Sequence, residues 1–578
     1  MKPNGANTLF NRLIKHKVTH VFGYPGGAIL PVLNEFYNQN KIKYILSRTE
    51  LGGAFMADGY AKVTGKPGVV MVTSGPGAIN IMTGLQNALS DGTPMLGLSG
   101  QVSTAVIGTD AFQEADIVGI SRPCTKWNSI ITDGTTIDNT IDNAFKHIHS
   151  NRRGPVLIDL PKNVMSNSFE QKIEQTQTDL NKRIEPTVTI DEIKEMIFQA
   201  KRPVILAGQG VLQGNSYILL REFANKYNIP VTTTLMGLGI VNEKELTSLK
   251  MIGMHGSYCA NMAIQNSDLL LNFGSRFDDR IIGDPTKFAL NAKIVHVDIL
   301  SSNINKVIKT KYYINDDCLK VLYKLSKPLN YSNIDYNPFM YYDWHKQIQE
   351  WKLIKFKYPK KDVLQGRHVL AILNNIIHDD NTYSYTIVAD VGAHQMWAAQ
   401  FIDYNYPRVQ FITSGGLGSM GYALPASIGA KIGINFKFNR VICVCGDGGF
   451  TMSFNELLTA IENKINIKVL IINNSYQLMV KMWQEKFYNN QLVGVKMNNP
   501  PFEEVCKSMG CASIKIDMNC NLEEQLQYVL NYNDGPIVAN IITDENESVL
   551  PMVSPGKALD DMIIDEDIKQ TYTGDAPC

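Results

Sequence analysis

The sequence predicts an α/β chain built from three doubly wound parallel sheets. Three observations lead there. Short apolar runs recur along the 578 residues and end in Gly, Ser, Pro, Asp or Asn. Stretches of helical length lie between them. Polar segments cut the series into three blocks, as the length alone leads one to expect.

In the first block HVFGYPGG, PGVVMVTSGPG, TPMLGLSG and GPVLIDLP read as strands, with ELGGAFMADGYAKVTG and AINIMTGLQNALSDG as helices. The polar stretch SNSFEQKIEQTQTDLNKRIEPT reads as the linker out. The second block offers RPVILAGQGV, IPVTTTLMGLG, SDLLLNFGSRFDD and AKIVHVDIL, followed by a second polar link, KPLNYSNIDYNPFMYYDW. The third offers YTIVADVG, VQFITSGGLGSMG, RVICVCGDGG, IKVLIINN and PIVANII. The expected domains are 1–165, 186–350 and 365–545, with a closing tail over 546–578. Blocks one and three read as variations on one architecture.

Composition narrows the classes. Lys plus Arg equals Asp plus Glu at 55 each, so nothing points to a nucleic-acid partner. No apolar run approaches the roughly 20 residues of a membrane span. The start, MKPNGANTLFNRLIKHKVTHVFGYPGG, shows no apolar signal core or cleavage site. The expectation is a cytoplasmic chain, or one of the plastid stroma if plastid-encoded. Nine cysteines without framework spacing point to a reducing compartment. Cys443 and Cys445 alternate onto one face of a buried strand, which reads as core packing rather than metal binding.

The chemistry concentrates in the third block. VICVCGDGG ends in Gly446-Asp447-Gly448, and IKVLIINN ends in Asn473-Asn474 about 24 residues further on. Ligands of open α/β sheets bind beyond the carboxyl ends of the strands. The Asp447 carboxylate and the Asn474 amide are hard oxygen donors suited to Mg²⁺, whose shell substrate phosphates often complete. Glycines 446, 448 and 449 let backbone N–H groups close on a phosphate, and a helix expected to start near Thr451 turns its positive end toward it. The reading is a Mg²⁺-diphosphate site. Two tight turns after buried strands are the alternative.

This spacing resembles the thiamine-diphosphate signature. The resemblance implies Mg²⁺ ligands from the Asp447 and Asn474 side chains and the Tyr476 carbonyl. It implies an acid beside the cofactor's pyrimidine, which Glu50 in RTELGGAFMADGYA fits. On its own, Glu50 reads as a charge at a helix N-terminus. It implies a large apolar residue under the bent cofactor, which Met420 fits, with the Gly418 carbonyl beside it. Without the flanking glycines Met420 would be a core methionine. Val391, Gly392, His394 and Met479 match further cofactor positions.

Over roughly residues 8 to 565 the chain resembles the acetohydroxyacid synthase (acetolactate synthase) family, catalytic subunit. VFGYPGGAILPV, IGTDAFQEADIVGISR, RFDDR, HQMWAAQ, TSGGLGSMGY and MVKMW carry it. The implied domains bind the thiamine pyrimidine, FAD, and thiamine diphosphate with Mg²⁺, in that order. The implied activity decarboxylates pyruvate and joins the hydroxyethyl unit to a second 2-keto acid. Pyruvate then gives 2-acetolactate and 2-oxobutyrate gives 2-aceto-2-hydroxybutyrate, the first common step toward valine, leucine and isoleucine. Glu50 would activate the cofactor. Gln113 and Phe112 would lie near the reacting carbon, and Gly27 and Ala28 would line the pocket from a facing subunit. Lys162 would sit at the channel mouth. Trp483 would pack on the second keto acid and Arg280 would bind its carboxylate, although Arg280 alone also reads as a surface ion pair. Arg152, Gly208, Gly210, Thr234, Leu235, Met254, His255, Gly274, Arg276 and Asp298 match the family's FAD positions. FAD would be structural, as the reaction has no net redox step. The implied assembly is a homodimer or homotetramer, with a small regulatory subunit as a possible partner.

Four positions depart from the family pattern. Leu478 stands for a glycine, Gly449 for a serine, Thr49 for a histidine and Ser103 for a proline at the channel rim. Added volume at Leu478 is expected to crowd the site. A related carboligase or decarboxylase of shifted substrate and a non-catalytic paralogue are the competing readings, and the products formed from pyruvate separate them.

Overall fold

The computed structural model describes residues 3–37, 39–171, 180, 182–327, 340–354, 362–434 and 436–564. Most of the second polar link, part of the first, and the tail beyond 564 lie outside the described residues.

Each block folds around a six-stranded parallel sheet. The first contains β1 (His20–Gly23), β2 (Lys43–Leu46), β3 (Gly68–Val72), β4 (Met95–Gln101), β5 (Trp127–Ile130) and β6 (Pro155–Pro161), in the order β2-β1-β3-β4-β6-β5. The second contains β7 (Pro203–Ala207), β8 (Val231–Thr233), β9 (Ser248–Met251), β10 (Leu269–Phe273), β11 (Lys293–Val297) and β12 (Tyr312–Ile314), in the order β12-β11-β10-β7-β8-β9. The third contains β13 (Ser384–Ala389), β14 (Val409–Thr413), β15 (Asn439–Gly446), β16 (Ile467–Asn473), β17 (Ala512–Ile516) and β18 (Ile537–Ile542), in the order β14-β13-β15-β16-β18-β17. Counted within themselves, sheets one and three share the order 2-1-3-4-6-5, so the likeness read between their blocks is a topological identity. The middle sheet has the order 3-2-1-4-5-6 of dinucleotide-binding folds.

The apolar runs become the central strands because these are covered by helices on both faces. β3, β4, β6, β7, β10 and β16 are buried at every residue. The stretch AINIMTGLQNALSDG forms two helices rather than one, Pro76–Asn80 and Met82–Asp91, separated at Ile81.

Sheets one and three share one apolar core, in which Phe22, Phe55 and Leu85 join Val388, Tyr422 and Val469. At its centre the helix Glu50–Thr64 crosses the helix Ala423–Gly433 backbone to backbone. A Cβ on Gly59 would stand 2.1 Å from the Ala426 carbonyl oxygen, and one on Gly429 would stand 1.8 Å from that of Met56. Only glycine permits such an approach. Beside this crossing the buried Lys62 ammonium lies 2.9 Å from Asp58 and 2.7 Å from Asp91, and donates to the Thr413 carbonyl at 2.8 Å. Cys443 and Cys445 both sit in the shared core, as their alternation predicts. The cysteines among the described residues are free thiols.

The residues expected as a tail stitch two domains together. Val549 and Met552 enter the core of the third sheet, and Val553, Leu559 and Met562 enter that of the second. Among the described residues no helix is long and apolar enough to cross a membrane.

Glu243 is buried at the seam between the second and third domains. Its carboxylate accepts from the Tyr404 N–H at 3.1 Å, and its own N–H donates to the Tyr404 carbonyl. Burial pushes this carboxyl up to about 8, against the pull of nearby Lys250. The folded protein thus keeps a proton there that the unfolded chain releases above about 4.5, so stability falls as pH rises from about 4.5 to about 8. Glu243→Gln removes that slope. Thermal denaturation should find the variant more stable than the parent at pH 8 and level with it near pH 4.5.

Candidate active site

The carboxyl edge of the third sheet gathers the predicted diphosphate and metal residues. β13 leads directly into Asp390-Val391-Gly392, β15 ends at Gly446, and β16 ends at Asn473 with Asn474 next in the chain. β13 and β15 are neighbours at the point where the strand order reverses. The helix that follows starts at Asp447 itself and runs to Ser453, earlier than the expected start near Thr451. Asp447 is therefore its first residue, and the Gly448 and Gly449 amides belong to a first turn without intrahelical acceptors.

Asp447 is buried, and its carboxylate accepts from Asn499 Nδ2 at 2.7 Å. Burial pushes its carboxyl up to about 6, while the Asn499 bond pulls the other way. Asn474 Oδ1 accepts from the Tyr476 N–H at 3.0 Å, across Ser475 at φ +60°. Among the described residues no three His, Cys, Asp or Glu side chains gather as a metal site. The oxygen set here has one carboxylate among neutral donors. A divalent cation on it retains positive charge, which a diphosphate would balance.

The surroundings fit an anion that approaches the backbone closely. A Cβ on Gly449 would lie 2.9 Å from the Asp390 carboxyl carbon, and one on Gly448 would lie 2.3 Å from Gln477 Nε2. A serine at 449 would thus need Asp390 to yield, which gives the departure at Gly449 a physical reason. Asp390 accepts from the amides of Val391, Gly421 and Ala423 and so fixes the Met420 loop against the diphosphate loop. Burial pushes its carboxyl up to about 6. His394 is buried and neutral, with burial lowering it to about 3. Its Nε2 has no partner within the protein, an orphaned polar atom in the wall of the cleft.

That cleft holds about 530 Å³ and is lined by Val391, Gly392, His394, Gly418, Met420, Gly446, Asp447, Gly448, Gly449, Asn474, Tyr476, Met479 and Trp483. Leu478, 6% exposed, opens the helix Leu478–Phe487 and also joins the core of the third domain. Its side chain lines the cleft as well as packing into that core, so part of the added volume faces the site as expected. Leu478→Ala should lower stability by about 2–3 kcal/mol in denaturant unfolding, as for other buried leucines. Arg280 stands at the mouth, 64% exposed and 3.8 Å from a still more open Asp279. So long an exposed pair leaves the guanidinium fork available to a ligand carboxylate.

A second cleft, of about 840 Å³, opens at the reversal point of the middle sheet between β7 and β10. Arg152, Gly210, Thr234, Leu235, Gly274, Arg276 and Asp298 line it. Gly208 does not. A Cβ there would stand 2.3 Å from the Gly274 carbonyl oxygen, so this glycine lets the two strand ends pack. Met254 and His255 line the Asp447 cleft instead. The two clefts adjoin, sharing Leu235, Arg280, Gly415 and Gly418. The strand order and the glycine-lined turn fit a dinucleotide better than the incomplete glycine motif alone does.

The remaining predicted residues gather elsewhere. Gly27, Ala28, Glu50, Phe112, Gln113 and Lys162 lie on segments that follow β1, β2, β4 and β6, at the carboxyl edge of the first sheet. None lines the Asp447 cleft, whose walls come entirely from Leu235 onward. Glu50 opens its helix behind Thr49, whose hydroxyl accepts from the Gly52 N–H, and the Glu50 carboxylate accepts from Asn80 Nδ2 at 3.1 Å. Gln113 takes φ +62° with Gly75 against its backbone. Phe112 is 88% exposed and a Cβ on Gly27 would meet only open space. Lys162 is exposed at the start of Lys162–Ser166.

Sequence reasoning missed Asp91, Asp390, Gln477 and Asn499. Asp91 accepts from the amides of Gly415 and Gly416 and so anchors the loop that carries Gly418 and Met420 to the first domain. Only Asp390 carried a signal, an acid at a strand end next to residues already chosen.

Three family models match the chain in order. They are the thiamine pyrophosphate enzyme N-terminal TPP binding domain over 3–120, the central domain over 190–325, and the C-terminal TPP binding domain over 390–541. Fold and site together define a three-domain thiamine pyrophosphate enzyme. The chain is 40% identical to the mitochondrial acetolactate synthase catalytic subunit of Aspergillus candidus, covering 97% of this chain and 83% of that one. It is 40% identical to the mitochondrial acetolactate synthase of Schizosaccharomyces pombe (98% and 87% covered) and 38% identical to the acetolactate synthase large subunit of Lactococcus lactis (97% and 96%). The chain belongs to the acetolactate synthase catalytic-subunit family, thiamine-diphosphate-dependent acetohydroxyacid synthases.

Proposed function

We propose that catalysis takes place between two copies of the chain, the Glu50 edge of one closing the Asp447 cleft of the other. Each composite site would decarboxylate pyruvate and join the two-carbon unit to a second pyruvate or to 2-oxobutyrate. The observation that carries this reading is the split of the predicted residues. Within one chain the Mg²⁺-diphosphate residues converge, while the Glu50 set forms a separate, open edge with an exposed Phe112.

Bound thiamine diphosphate supplies the electron sink that loss of CO₂ requires. Asp447, Asn474 and the Tyr476 carbonyl would hold Mg²⁺, and the Gly448 and Gly449 amides with His394 would take diphosphate oxygens. Met420, the Gly418 carbonyl and Met479 would orient the ring system. Glu50 would hold a proton at the pyrimidine ring nitrogen. Arg280 would grip the acceptor's carboxylate and Trp483 its alkyl group. Gln113, Phe112, Gly27 and Lys162 would cover the far side and keep water out. FAD would lie along Gly210, Gly274, Arg152, Arg276 and Asp298, reaching toward Met254 and His255, as a structural group. The relatives' description as catalytic or large subunits supports a separate regulatory partner. Free thiols suit a reducing compartment, cytoplasm or plastid stroma.

The test mixes two inactive variants, Glu50→Gln and Asp447→Ala, with pyruvate, Mg²⁺, thiamine diphosphate and FAD. Acetolactate is read by acid conversion to acetoin, after direct acetoin and acetaldehyde have been measured. In a composite site each hybrid dimer regains one intact centre, so activity returns on mixing. Continued silence after confirmed subunit exchange would place both residues in one chain's site and overturn the arrangement.

A further inference from the structure

The segment that follows the Asp447 helix reaches back to the first domain. Its Glu456 is fully buried, and the carboxylate is occupied by the turn that precedes Glu50. Oε2 accepts from the Arg48 N–H at 2.9 Å. Oε1 accepts from the Thr49 N–H and from the Thr49 hydroxyl, both at 2.9 Å. That hydroxyl in turn accepts from the Gly52 N–H at 2.9 Å, so the cap of the Glu50 helix is oriented by a residue of another domain. A Cβ on Gly52 would stand 2.0 Å from Glu456 Oε1, so a side chain there would push the carboxylate off the turn. Two neighbours reinforce the grip. Thr459 Oγ1 donates to the Leu46 carbonyl at 2.9 Å, and Glu462 pairs with the Arg48 guanidinium at 2.5 Å. The departure at Thr49 also finds its reason here, as a short hydroxyl both caps the helix and reaches Glu456.

We infer that Glu456 is a positioning residue for the reaction, setting the start of the Glu50 helix and hence the stance of the Glu50 carboxylate toward the cofactor. The inference rests on the composite-site reading above, and it has a consequence for the dimer. Glu456 sits just beyond the Asp447 helix of its own chain, yet it orients the Glu50 that serves the other centre. One short segment therefore bears on both active sites at once.

The test uses hybrid dimers that keep one working centre, Glu50→Gln on one chain and Asp447→Ala on the other. Glu456→Ala is placed first on the chain that donates Glu50 to that centre, then on the chain that donates Asp447. The expected result is a fall in kcat of roughly ten- to a hundredfold in the first placement only, with KM for pyruvate little changed. Equal losses in both placements, or none in either, would overturn the inference. Glu456→Gln, which keeps the volume and the two Thr49 bonds but turns an amide toward the Arg48 N–H, should fall between the parent and Glu456→Ala. Two further readouts do not depend on turnover. Backbone hydrogen exchange of the cofactor-free protein should quicken at Arg48, Thr49 and Gly52 in Glu456→Ala. Exchange of the C2 proton of bound thiamine diphosphate should slow in the same variant at saturating cofactor. If Glu50→Gln itself leaves that proton exchange unchanged, the role of Glu50 fails. If Glu50→Gln slows it and Glu456→Ala does not, the positioning role alone fails.

Discussion

Glu50→Gln lowers kcat for acetolactate formation by on the order of 10²-fold or more, the range for removing a general acid–base group. The substitution isolates the charge. Glutamine matches the volume, and its carbonyl still accepts the bond from Asn80 that the carboxylate accepts now. The helix cap is made by Thr49, not by Glu50, so the fold is not engaged. Affinity for Mg²⁺ and thiamine diphosphate should stay within a few-fold of the parent, because the substitution leaves the metal and diphosphate residues Asp447, Asn474, Gly448 and Gly449 in place. Steady-state kinetics with pyruvate, beside a cofactor titration, check both halves. Near-parental turnover in a fully loaded variant would remove Glu50 from the chemistry.

Asp447→Ala acts on the other half of the site. It deletes the only carboxylate of the candidate metal set, and cofactor affinity in Mg²⁺ should fall by about 10²-fold or more, beyond the 10–100-fold typical of losing a supporting partner. The cofactor-free protein should keep its melting temperature. Asn499, which bonds Asp447, retains Asn473 Oδ1 at 3.1 Å, and the alanine takes a desolvated carboxylate out of the interior. Calorimetric titration and a melting curve on the same sample separate the two effects. Asp447→Asn, which keeps an oxygen but no charge, should bind more tightly than alanine and more weakly than the parent.

The interior of the fold was readable because burial writes itself as apolar runs. β3, β4, β7, β10, β15 and β16 all stand where such runs were seen. The strands that left no such mark all lie at sheet edges: β2, β5, β9, β12 and β17. β5 is half-buried throughout and β2 buries one residue of four, so their sequences blend with loops. The metal and diphosphate residues were readable because they cluster on two strand ends of one short segment. Glu456, Asp91 and Asn499 were not, since each acts on a partner distant in the chain and local pattern carries no sign of it. The middle site lay between these cases. Its glycines looked incomplete as a motif, and it was the strand order, which no single segment reveals, that made the cleft fit a dinucleotide.

The crossing of the two glycine-containing helices also constrains how this sequence can change. At Gly59 and Gly429 the opposing main chains leave no room for even a methyl group, so a single substitution at either position cannot be absorbed by repacking a neighbour. Both helices would have to move apart together, carrying Glu50 at the head of one and the Met420 loop ahead of the other. Positions such as Thr49 and Leu478 can drift, because a hydroxyl or a nearby core accommodates them. The glycine pair has no such neighbouring route in sequence space, and divergence of the two outer domains must proceed around it.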